Sequence, residues 1–168
     1  MTHIKSDKRR VILTKKNRVP MRYLPQHITE KDRIRQKQNL RKSRKLYKQK
    51  KYYTRPNIKS FVSKPSGHVQ NAIKMYNVEH VRPDRTLARK TGCSVKGLQQ
   101  IVKKGEGAYF SSGSRPNQTA QSWGYARLAS AITGAGASIV DYDILKKTCN
   151  NNSRALKLAR KTRKRSKV

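Results

Sequence analysis

Residues 119–134 read Thr119-Ala120-Gln121-Ser122-Trp123-Gly124-Tyr125-Ala126-Arg127-Leu128-Ala129-Ser130-Ala131-Ile132-Thr133-Gly134, and this stretch decides the fold class. Thr119 is a good helix N-cap, because its hydroxyl accepts from a backbone N–H of the first turn. Trp123, Ala126, Leu128, Ala131 and Ile132 then recur at helical spacing, and Gly134 supplies the stop. Trp123 is expected to anchor the core. Arg127 lies on an otherwise small and apolar face, so burial there demands a carboxylate partner, with Asp141 or Asp143 nearest in sequence.

The flanking segments repeat this grammar. Ser66 caps a segment in which Val69, Ala72, Ile73 and Tyr76 share a face. Ser94 caps another, with Val95, Leu98, Ile101 and Val102 inward and Gly105 as the expected stop. Asp141 is expected to cap a short helix with Ile144 and Leu145 inward. Ser153 opens a last segment with Leu156 and Ala159, which dissolves into an Arg-Lys tail. Ala137-Ser138-Ile139-Val140 is the one candidate strand. The fold class is therefore mainly α: a small helical module flanked by extended, highly basic N- and C-terminal arms. The boundaries are an extended arm at 1–28, a basic helix and linker at 29–60, the module at 61–150 and a basic tail at 151–168.

Charge dominates everything outside the module. The 168 residues hold 42 Lys plus Arg against 8 Asp plus Glu, a formal net charge of +34. Self-repulsion at this density opposes a compact state, so a polyanionic or acidic counter-surface is expected. Apolar residues make up 34%, below the usual ~45–50% of globular domains. Pro20 and Pro25 interrupt the first arm, and Val11-Ile12-Leu13 offers a short apolar run for a neighbour's sheet or groove.

Thr29 caps the basic helix, with Glu30 and Asp32 at its positive end. Ile34, Leu40, Leu46 and Tyr47 form a thin stripe. Arg33, Arg35, Lys37, Arg41, Lys42, Arg44, Lys45 and Lys48 cover the rest and are the first candidate binding surface. Such a helix is not a core helix; it is either a solvated spacer or one laid along an acidic surface, and the second is the favoured reading. The second candidate surface is Arg160, Lys161, Arg163, Lys164 and Arg165. Between them, Tyr52-Tyr53-Thr54-Arg55-Pro56 interleaves aromatics with Arg; these either stack on bases or anchor the arm by burial, and burial is the favoured reading.

No catalytic constellation is visible. His3, His27, His68 and His80 share no helix face, no metal-ligand spacing occurs, and Gly105-Glu106-Gly107 lacks the Lys and hydroxyl of a phosphate loop. Neither enzyme activity nor a cofactor is expected. Cys93 and Cys149, with no apolar leader at the N-terminus, are expected as two reduced thiols. The polar Ser111–Ser114 loop is read either as an anion cradle or, preferentially, as a structural loop before the Trp helix. Asn117-Gln118-Thr119 is read as part of that loop rather than as a glycosylation acceptor.

Two motif blocks also carry a resemblance. The first runs through Tyr23-Leu24-Pro25, Lys42-Ser43-Arg44-Lys45-Leu46-Tyr47, Tyr52-Tyr53-Thr54-Arg55-Pro56 and Lys59-Ser60-Phe61. The second is Ser111, Ser112, Gly113, Ser114, Arg115, Pro116, Asn117, Gln118 and Thr119, with Trp123, Arg127-Leu128-Ala129-Ser130 and Gly134. Over most of residues 20–148 the chain resembles an uncharacterised family of nucleocytoplasmic large DNA viruses. It departs from that pattern in having Gly134-Ala135-Gly136 in place of a Gly-Gly pair. The resemblance implies a virion protein made in the host cytoplasm. Joined to the basic arms, it implies a minor capsid protein on the inner face of a large icosahedral shell. Its partners would be the major capsid protein and other minor proteins, with an anionic inner membrane or viral DNA beneath. The alternative is a nucleic-acid-binding basic protein of the virion or of a ribosome-like particle.

Overall fold

The computed structural model describes residues 19–167. Val11-Ile12-Leu13 and most of the proposed N-terminal arm lie outside the described residues. Within them the chain is mainly α, with no strand and eight helices: α1 Glu30–Lys48, α2 Gly67–Tyr76, α3 Arg85–Thr91, α4 Val95–Ser111, α5 Ala120–Ile132, α6 Ala137–Val140, α7 Tyr142–Thr148 and α8 Arg154–Arg165. None of these is long and apolar enough to cross a membrane.

Most starts follow the capping chemistry. The hydroxyls of Thr29, Ser66, Ser94, Thr119 and Ser153 each accept from a backbone N–H three residues on, and Thr119 with Ser122 completes a reciprocal capping box. The short apolar pattern of α3 does not announce a helix; Asp84 caps it at 2.8 Å and buried Leu87 holds it. Residues 137–140 form a helical turn instead of a strand. Asp141 follows that turn but makes no side-chain cap, because its carboxylate is engaged elsewhere.

The core lies between α4 and α5, the most extensive helix pair. On α4, Leu98, Ile101, Val102, Gly105 and Tyr109 form one buried stripe. Gly105 is not a stop. A Cβ on it would stand 2.6 Å from the Gly124 Cα of α5, so glycine here lets two backbones meet in mid-helix. Tyr76 of α2 donates its hydroxyl to the Ile132 carbonyl at 2.5 Å, and burial pushes its phenol up to about 12.

Three further expectations are corrected. The tail at 151–168 is not extended: α8 buries Ala155, Leu156 and Ala159, and Thr162 donates to the Gly134 carbonyl at 2.6 Å. The small residues on one face let it settle on α5, α6 and α7 despite its cations. Cys93 and Cys149 are joined in a disulfide, 56 residues apart, where the chain entering α4 lies antiparallel to the chain leaving α7. Ser94 N–H donates to the Thr148 carbonyl at 2.7 Å and Asn150 N–H to that of Gly92 at 2.8 Å, so backbone pairing sets the cysteines side by side. Trp123 is only partly buried and outside the main core cluster; its ring meets Tyr23 edge-on, at 5.8 Å between centroids.

Candidate functional site

The basic helix α1 is held against the module by an unusual stripe. Its buried residues are Asp32, Gln36, Leu40 and Ser43, only one of them apolar, while Ile34 of the expected stripe is 50% exposed. Polar groups can be buried there because each finds a partner. Gln36 donates to the carbonyls of Tyr23 and Ser114, and Ser43 donates to that of Phe110 at 3.1 Å. Asp32 accepts from the Ser60 hydroxyl at 2.6 Å and from its N–H at 2.9 Å; these two bonds hold its carboxyl below the usual range.

Arg55 is the centre of this clasp. It is 6% exposed, and among the described residues no carboxylate pairs with it. Its guanidinium donates to Ser43 Oγ at 3.0 Å, to the Tyr109 carbonyl at 2.8 Å and to Ser114 Oγ at 2.7 Å, and it lies 3.7 Å from the Tyr109 ring centroid. Burial presses its pKa below the ordinary arginine value, yet at neutral pH arginine stays a cation. Arg55 therefore joins α1, α4 and the loop after α4 through neutral acceptors and a π-face. In the sequence it groups with its neighbouring tyrosines, and nothing in local periodicity marks a cation as buried.

The two motif blocks thus meet in space, mainly as architecture. Arg44 donates twice to the Ser112 carbonyl, at 2.7 and 3.0 Å. Gly113, at φ 115°, passes over Leu40 and Tyr23, where a Cβ would stand 2.7 Å from Leu40 Cδ2. Asn117 clamps the linker: its Oδ1 accepts from Ile58 N–H at 2.6 Å and its Nδ2 donates to the carbonyls of Ile58 and Phe61. Pro116 is buried, Gln118 accepts from Ser122, and Ser111 and Arg115 are exposed. Within the loop, the N–H groups of Ser112 and Gly113 are not free for an anion, since both donate to the Ala108 carbonyl. Arg127 makes a bidentate pair with Asp141 at 2.7 and 2.8 Å, and Lys104 adds a third contact at 2.8 Å.

What remains free is the outer surface. Lys37, Arg41, Lys45 and Lys48 fall on one outward face of α1, with Arg35 and Lys42 exposed beside it. Arg33 pairs with Glu30. On α8, Lys161, Lys164 and Arg165 are exposed, while Arg160 donates to Asn151 and Arg163 lies 4.2 Å over the Tyr142 ring. The two candidate surfaces sit on different supports, α1 on α4 and α8 on α5–α7. Among the described residues, carboxylate partners are found only for Arg33, Lys104, Arg127 and, when protonated, His80.

No curated protein and no solved structure matches the chain. A family model described as a family of unknown function (DUF5824) matches residues 20–144, from the turn before α1 into α7. The match takes in both motif blocks together with the helices they clasp, and on it the chain belongs to that family.

Proposed function

We propose that this protein is a non-enzymatic nucleic-acid-binding protein that neutralises phosphates along the outward face of α1, with the exposed cations of α8 as a second contact. The observation that carries the reading is the disposition of charge. The cations of α1 face outward with almost no carboxylates to quench them, while the helix backbone is fixed by Gln36, Ser43, Arg44 and Arg55. A rigid row of unquenched cations suits a regular row of phosphates. The resemblance to a family of large DNA viruses makes the viral genome the natural polyanion and the virion its place.

A second reading keeps the capsid role, bridging shell proteins from the inner face. The apolar side chains left exposed at Met21, Ile34, Val62 and Val140 favour it, since they suit a protein neighbour better than a phosphate backbone. The docking of α8 weighs against it, because one of the two arms meant to thread between capsid units is built into the fold.

Fluorescence anisotropy on duplex DNA over a salt series separates the two. Engagement of four or five phosphates by α1 gives a log–log slope of about −4. Replacing Lys37, Arg41, Lys45 and Lys48 with glutamine flattens it by about 1 for each cation removed. Absence of DNA binding at physiological salt, with the protein retained on DNA-free shells, would transfer the assignment to the capsid.

A further inference from the structure

One exposed feature is left unused by phosphate binding. Tyr52, just beyond the C-terminus of α1, is 72% exposed, although it is a large aromatic side chain. It is nonetheless held in place. Its ring meets Phe110 edge-on at 5.1 Å and Tyr47 at 6.1 Å, and Tyr47 and Phe110 lie nearly parallel at 6.5 Å. Phe110 in turn stands perpendicular to the fully buried Tyr109 at 5.0 Å, the ring on which Arg55 lies. Arg55 N–H also donates to the Tyr109 hydroxyl at 3.0 Å, which ties down the chain three residues after Tyr52. An exposed ring thus rests on a ladder of rings that ends in the buried clasp.

The surroundings of the ring are cationic. Lys48, Lys50 and Lys51 are exposed around it, and no Asp or Glu occurs between Asp32 and Glu79. Glu106, one turn before Phe110 on α4, is partly buried and packs its Cγ toward Gly124 of α5. A flat apolar face inside a positive field suits a base whose phosphates carry the complementary charge. An unstacked base presents such a face; a duplex hides all but its terminal pairs.

We propose that Tyr52, backed by Tyr47 and Phe110 and flanked by Lys48, Lys50 and Lys51, is a base-stacking site for single-stranded nucleic acid. The inference rests on the nucleic-acid reading above and adds to it a preference for unpaired bases.

The test uses the full chain with three labelled probes: oligothymidylate, an abasic oligomer of equal length, and a duplex. The abasic strand keeps the phosphates and removes the π-faces. Wild type should bind oligothymidylate about tenfold tighter than the abasic strand, one base stacked on one ring. Tyr52→Ala should erase that difference and leave duplex affinity unchanged, which also shows that the variant is folded; Tyr52→Phe should restore it. Equal binding of oligothymidylate and abasic strand by wild type overturns the stacking site while the phosphate reading stands. A difference that survives Tyr52→Ala overturns the assignment to Tyr52. Failure to bind any probe overturns both readings, and binding of polyglutamate in preference to all three probes replaces them with an acidic protein partner.

Discussion

Gly105→Ala should destabilise the protein, although the substitution raises helix propensity. In an exposed helix interior, alanine is favoured over glycine by about 1 kcal/mol. At Gly105 the new Cβ would stand 2.6 Å from the Gly124 Cα and 3.2 Å from both the Gly124 N and the Arg127 Cβ. Unbonded carbons settle at about 3.5–4.0 Å, so α4 and α5 must part by roughly 1 Å. The neighbour is backbone and cannot swing away, which puts the overpacking cost near the upper end of the usual range, ~3 kcal/mol. The net loss is about 2 kcal/mol, a fall in Tm of roughly 4–8 °C for a chain of this size. Gly107→Ala on the same helix is the matched control. Its Cβ would meet only the Tyr47 hydroxyl, at 3.7 Å, in ordinary contact. That variant should gain up to ~1 kcal/mol from propensity alone. Thermal melts followed by circular dichroism read both. A Gly105→Ala protein that melts at or above wild type would refute close backbone approach as the reason for the glycine.

The core and α8 supply two further outcomes. Burial by itself would raise the pKa of Asp141, but hydrogen bonds from Arg127 and Lys104 outweigh it and hold the carboxyl below its ordinary value. Its stabilisation is therefore fully present above the unfolded carboxylate pKa and is lost as pH falls through the lower folded value. Asp141→Asn, which leaves two cations beside a neutral amide, should cost about 3 kcal/mol at neutral pH and flatten the acid limb of a urea-denaturation series; an unchanged acid limb would assign that limb to other carboxylates. In α8, Leu156→Ala should cost ~2–5 kcal/mol in the same assay, whereas glutamine at Lys161, Lys164 and Arg165 should stay within ~0.5 kcal/mol of wild type. Parity between the two α8 variants would restore the passive tail.

Much of the helical layout was legible because caps are local chemistry. Thr29, Ser66, Ser94, Thr119 and Ser153 announce themselves by residue type and by the apolar spacing of the next two turns. Arg127 was legible too, since a cation on a small apolar face needs an anion and few carboxylates were at hand. The failures share one cause, which is that the deciding partner lies far away in sequence. Gly105 reads as a stop until Gly124 is known to cross it. α8 reads as a tail until the surface under Leu156 and Ala159 is known. α1 reads as a helix laid along an acidic surface rather than one packed on the module, because its buried face is Asp32, Gln36 and Ser43 around one leucine; hydropathy periodicity is blind to a polar stripe whose partners are backbone carbonyls and, for Asp32, the hydroxyl and N–H of Ser60. Trp123 fails in the opposite sense: size suggested the deep core, but its ring covers the junction with Tyr23.

How a chain with 8 acidic residues and 42 basic ones folds at all is explained by those carbonyls. Pairing every anchoring cation with a carboxylate would consume the acidic groups and cancel the positive field. Arg127 alone of the anchoring arginines named above takes a carboxylate, Asp141; the others sit on neutral oxygen: Arg44 on Ser112, Arg55 on Tyr109 and Ser114, Arg154 on Met75 and Arg160 on Asn151. A guanidinium suits this use, since its planar fork offers five donors and it is less strongly hydrated than an ammonium. The contacts of Arg44, Arg55 and Arg154 cross-link segments distant in sequence without spending net charge. Arg55 carries the device furthest, with a ring beneath it in place of a counter-ion. Lysine at this position could not span Ser43, Tyr109 and Ser114 in one plane, so Arg55→Lys would loosen α1 while leaving the formal charge unchanged. The clasp of Gln36, Ser43, Arg44 and Arg55 therefore fixes α1 without cancelling the row of Lys37, Arg41, Lys45 and Lys48 above it.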